Sequence, residues 1–139
     1  MIVNESNGRI INSKNIYFHD DIFDQMTFNR EQRILAVSLI KENSIKDRYE
    51  IVFSNVVGFE MTNCDFWGPS PHVLDFEYVE ADERALLSKL KSKMEKNPFE
   101  PSCKIVQDTD FIETVFTFTS GDTLTIVCES IILNCIEIV

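Results

Sequence analysis

Glycine and proline are scarce, four of each in 139 residues, which leaves too few chain breakers for a linker-rich or disordered protein. Basic residues are also in short supply: thirteen Lys and Arg face twenty-three Asp and Glu, a net charge of −10. That sign repels phosphate backbones and anionic lipid, so neither nucleic acid nor a membrane surface is an expected partner, and a charged partner would have to be basic. No apolar run approaches the roughly 20 residues that span a bilayer. The first residues carry no basic region followed by a long apolar stretch, so a cytoplasmic protein is expected.

Chemistry-bearing motifs are missing too. There is no G-x-G-x-x-G, no P-loop, no G-x-S-x-G and no H-E-x-x-H, hence no local phosphate cradle, nucleophile elbow or zinc helix. Cys64, Cys103, Cys128 and Cys135 form no C-x-x-C pair, and the two histidines, His19 and His72, lie far from any such spacing. Reduced, buried thiols and no metal or other cofactor are the expectation. These gaps point away from an enzyme.

What is present is an apolar fraction of 44% with eleven Phe, enough for one core in a single domain over residues 1–139. Residues 21–29 alternate, with Ile22, Met26 and Phe28 on one parity and Asp24 the exception. Residues 32–41 are apolar on both parities, as in a strand covered on both faces, and Asn29-Arg30-Glu31 would close a hairpin between the two. The longest alternation is 49–61, where Tyr49, Ile51, Phe53, Val57, Phe59 and Met61 share one parity, Asn55 interrupts, and Gly58 suits a bend. After the turn signal Trp67-Gly68-Pro69-Ser70-Pro71, residues 72–80 alternate again and place Leu74, Phe76 and Tyr78 inward, Asp75 and Glu77 outward.

The period changes to helical over 82–96. Leu86, Leu87, Leu90 and Met94 fall on one stripe, Asp82 is placed to cap the start, and Asn97-Pro98 ends it. Beyond residue 103 the pattern is strand-like again, with 111–119 and 122–128 joined through Ser120-Gly121, so that Ile112, Phe116 and Phe118 meet Leu124, Ile126 and Cys128. The apolar tail 131–139 reads as a last strand that is paired, covered by the helix or used in a homodimer. The expected class is α+β, mainly antiparallel: a curled sheet, partial barrel or sandwich with one amphipathic helix packed on it.

Three groups of residues are candidate sites. Trp67, the only Trp, sits in a loop where it would serve either as an anchor for a partner or as a lid on the core. Asp75, Glu77, Glu80, Asp82 and Glu83 gather along one strand and the helix start, where they would either meet a basic surface or form an ordinary solvated face. His19 beside Asp20, Asp21 and Asp24 is the best acid–base arrangement the sequence offers, although Asp20 and Asp21 also suit a turn that His19 would fix.

Taken together, His19-Asp20-Asp21, Phe53-Ser54-Asn55-Val56-Val57 and Asn63-Cys64-Asp65-Phe66-Trp67-Gly68 resemble small bacterial β-rich proteins, some of them grouped with immunity proteins of polymorphic toxin systems. The similarity spans about residues 19–80. It implies a non-catalytic cytoplasmic protein that binds and neutralises a basic toxin without a cofactor. The alternative is a small-ligand-binding or structural β domain, supported by the many Phe.

Overall fold

Alternating apolar residues build nine strands and the helical stripe builds one helix in a computed structural model that describes residues 1–12, 19–41, 48–62, 72–97 and 110–133. The elements are β1 (Ile2–Asn4), β2 (Ile22–Asn29), β3 (Ile34–Ile40), β4 (Arg48–Ser54), β5 (Gly58–Met61), β6 (Val73–Tyr78), α1 (Ala85–Lys96), β7 (Ile112–Phe118), β8 (Thr123–Cys128) and β9 (Ser130–Leu133). All pairings are antiparallel, in one sheet of order β1-β9-β4-β3-β2 and another of order β5-β8-β7-β6. The class is therefore the α+β, mainly antiparallel one that the alternation predicts.

The two sheets face each other across a filled interior. Phe53 of the first sheet meets Phe76 and Phe116 of the second edge-on, at 6.3 and 6.2 Å between centroids, and Phe23 meets Phe118 at 5.0 Å. Each fully buried Phe removes enough apolar surface from water to contribute about 1.5–3 kcal/mol. Helix α1 covers the outer face of the second sheet, with Leu86, Leu87, Leu90 and Met94 packed against Val57, Phe111 and Val127.

Chain continuity ties the sheets together. Between β4 and β5 the chain turns from one sheet into the other at Asn55, which takes φ 54°. Beside it, β8 passes into β9 through Glu129, whose N–H donates to the Ser54 carbonyl at 3.1 Å and whose carboxylate accepts from Asn55 Nδ2 at 3.0 Å. The alternation over 49–61 is thus two strands in two sheets rather than one long strand. Val56 enters the main core and Val57 the helix cluster. Gly58 is there for close approach rather than for a bend: a Cβ would lie 2.7 Å from Leu90 of α1.

Two bulges alter the expected faces. In β2 the register shifts between Phe23 and Gln25. Asp24 is the extra residue, so Phe23, Met26 and Phe28 share the inner face, and Ile22 does not. In β6 the shift lies between Val73 and Asp75, so Val73 is buried and Leu74, expected inside, is turned out and 48% exposed. The β2–β3 connection runs over residues 30–33, and β3 begins at Ile34 rather than at 32.

Helix α1 starts at Ala85, later than the sequence suggests, because Ala81–Glu83 forms a separate 3-10 turn and Arg84 occupies the cap position without a side-chain cap of its own. The β7–β8 hairpin has the expected partners, Ile112 with Cys128 and Phe116 with Leu124, and Gly121 takes φ 89° in its turn. β9 is paired on both sides, with β1 and β4. Residues 134–139 lie outside the described residues, as do Trp67 and Cys64, Cys103 and Cys135. Cys128 is fully buried, which pushes its thiol pKa upward.

Candidate functional site

Strand β6 ends the second sheet, and an end strand normally presents unpaired N–H and C=O groups. Here they are engaged one after another. Val73 exchanges backbone hydrogen bonds with Asp20 and Asp21, both at 2.8 Å. The Leu74 carbonyl accepts from His19 Nδ1 at 2.9 Å, the Phe76 N–H donates to Asp75 Oδ1 at 2.9 Å, and the Asn12 amide both accepts from the Tyr78 N–H and donates to its carbonyl, at 2.7 and 2.9 Å. The edge of β6 is therefore occupied from within the chain, and its side chains are what it presents outward.

This geometry also distributes the His19 group. His19 and Asp20 do meet, with Nε2 3.5 Å from Asp20 Oδ2, and Asp20 takes φ 69° as a turn residue. Asp24 is not brought to them: its carboxylate binds Arg48 at 2.8 Å. Asp21 is buried under β4, where the Tyr49 hydroxyl donates to its carboxylate and Lys41 Nζ lies 3.4 Å away. Burial and the Asp21 carboxylate together raise the Tyr49 hydroxyl pKa. His19 is thus fixed by its bond to the β6 edge.

The outward side chains of β6 form the acidic face. Asp75 and Glu77 stand on the same side, opposite Thr117 and Val115 of β7. A hydrogen bond with the Asp75 carboxyl, reinforced by partial burial and by the Asp75 charge, pushes Glu77 up to about 7. The chain then turns through Asp82 and Glu83, both exposed. Among the described residues no cation pairs with Asp75, Glu77, Asp82 or Glu83. Glu80 is different, because Arg9 holds it in a two-pronged pair at 3.0 and 2.9 Å. Glu83 continues into a shallow cleft of about 290 Å³ beneath α1, where Lys89 pairs with Glu60 at 3.0 Å.

Two buried polar centres were not legible in the sequence. Arg84, with its side chain only 1% exposed, donates to the Val79 and Phe111 carbonyls, to Glu5 at 2.6 Å and to the Tyr78 hydroxyl at 2.8 Å; that hydroxyl in turn donates to Glu5 at 3.0 Å. Glu113 of β7 accepts the Leu87 N–H at 2.7 Å and so caps α1 from another element. Burial raises the Glu113 pKa against the opposing pull of the helix amides and Arg84. Every group in these centres is matched, which marks them as architecture.

Among the described residues, no three His, Cys, Asp or Glu side chains are grouped to hold a metal ion, and no helix is long and apolar enough to cross a membrane. No protein-family model, curated protein or solved structure matches this chain.

Proposed function

We propose that this chain is a non-catalytic protein-interaction module that receives a basic partner on the outer face of β6 and the turn before α1, in the manner of a cytoplasmic immunity protein neutralising a toxin. The supporting observation is the Asp75–Glu77 pair: two carboxylates held side by side with no cation from the described residues, next to the exposed Leu74. A Lys or Arg of a partner placed between them replaces the retained proton with a fixed positive charge, and Leu74 supplies apolar area at the contact. Asp82 and Glu83 extend the same sign and speed encounter. The engaged edge of β6 fits this reading, since it directs a partner to side chains.

The test is capture from the native host on immobilised protein at low and moderate salt, run in parallel with an Asp75→Lys/Glu77→Lys variant. A basic protein retained by the unaltered chain and lost from the variant supports the proposal. Equal retention by both, or retention of nothing by either, contradicts it.

A further inference from the structure

The sandwich is open at the end where β2 turns into β3. Phe28 belongs to the inner face of β2, opposite Leu35, and Phe59 of the other sheet meets it there edge-on at 5.0 Å, yet the residue is 39% exposed. Between these rings and the loop of residues 30–33 lies an open cleft of about 340 Å³, lined by Phe28, Phe59, Val56 and Val57 together with Arg30 and Arg33.

Its rims are fixed. The Val56 N–H donates to the Arg33 carbonyl at 2.9 Å, joining the β2–β3 turn to the β4–β5 corner, and the Gln32 N–H donates to Asn29 Oδ1 at 3.0 Å. Arg33 and Asn55 both sit in the left-handed region, at φ 55° and 54°. Non-glycine residues enter that conformation at a cost, and such residues gather at ligand clamps.

The charge of the cleft is opposite to that of the chain. In a protein of net charge −10, both charged residues lining it are arginines, and Glu31 of the same loop is not among the lining residues. Arg9, Arg48 and Arg84 each hold a carboxylate, whereas Arg30 makes no ion pair among the described residues.

We propose that this cleft binds a small anion carrying a flat apolar group, an aromatic carboxylate or aryl phosphate, with its ring against Phe28 and Phe59 and its charged oxygens on Arg30. Guanidinium groups match the planar oxygens of both anions, and the two rings offer edge and face to an aromatic ring. The volume lies at the small end of ligand sites, in keeping with one ring and one anionic group. This site is separate from the acidic face and stands or falls without it.

The test is an amide-resolved NMR titration with phenyl phosphate and with benzoate, using inorganic phosphate and benzyl alcohol as probes for each half alone. Phenyl phosphate is expected to shift amides of residues 28–33 and 55–59 and to bind about tenfold or more tightly than either half-probe, since charge and ring contribute together. Arg30→Glu and Phe28→Ala are each expected to weaken it about tenfold, a loss of about 1.4 kcal/mol. Both side chains are exposed, and an unchanged spectrum away from the cleft reports that each variant is folded. Shifts centred elsewhere, unaltered affinity in Arg30→Glu, or inorganic phosphate binding as tightly as phenyl phosphate would overturn the proposal.

Discussion

Glu77 and Tyr78 are neighbours on β6 that face opposite sides of one sheet, and the charges around them meet opposite fates. On the Tyr78 side, Arg84 and Glu5 are hydrogen-bonded to each other and to the tyrosine hydroxyl, and Arg84 also donates to two carbonyls. On the Glu77 side, a second carboxylate, Asp75, faces it and no cation of the described residues pairs with it. Burying an unmatched ion costs several kcal/mol, so the first set had to be completed within the fold. Water screens the second set, which lets an unmatched pair persist at the surface. Matched buried charge thus reports architecture, and unmatched exposed charge reports an available face.

The largest effect is expected from breaking the matched set. Arg84→Ala leaves the Glu5 carboxylate without its cation and the Phe111 and Val79 carbonyls without the guanidinium donor, and is expected to cost about 3–5 kcal/mol, read as a lowered urea midpoint. Glu113→Ala removes the cap of α1 and is expected to cost about 1–2 kcal/mol, with Glu113→Gln retaining part of it through the amide oxygen. On the exposed side, neither Asp75→Asn nor Glu77→Gln is expected to destabilise the fold above pH 7, because each relieves the confrontation of two carboxylates. Large destabilisation by Asp75→Asn would erase the contrast between the two faces.

The same comparison explains what the sequence disclosed. Continuous alternation showed the core faces of β4 and of the β7–β8 hairpin, because no bulge interrupts those runs and each inward residue meets an apolar partner. Parity misplaced Ile22 and Leu74, since each bulge inserts one residue, Asp24 in β2 and Leu74 in β6, with no glycine to mark it. The corner at Asn55 was hidden for a related reason: odd positions are apolar on both sides of it, so two strands in different sheets imitate one. Arg84 falls inside the helical stretch 82–96, and nothing local reveals that Glu5, 79 residues earlier, comes to meet it. Within the acidic set, Asp75, Glu77, Asp82 and Glu83 were legible as exposed charge, but the pairing of Glu80 with Arg9 spans 71 residues and was not.

A smaller effect sharpens the contrast through pH. Glu77 holds its proton in the folded chain at pH values where the unfolded chain has released it, because its pKa rises from 4.5 to about 7. Its contribution to stability is therefore complete below 4.5 and is lost as pH rises through about 7. Urea midpoints across that window should fall more steeply for the unaltered chain than for Glu77→Gln, and parallel slopes would contradict the assignment. Glu113 shifts in the same direction in both proteins, so the difference between them isolates Glu77. Binding of the proposed basic partner should strengthen over the same window as the proton leaves.

The most direct measurement is the pH titration of the Glu77 side-chain carboxyl by carbon-detected NMR, with and without Asp75→Asn. An unanswered pair predicts a midpoint near 7 that falls toward 4.5 once Asp75 is neutral. A midpoint near 4.5 in both proteins would mean that the two carboxylates do not confront each other, and the acidic face would lose its claim on a basic partner.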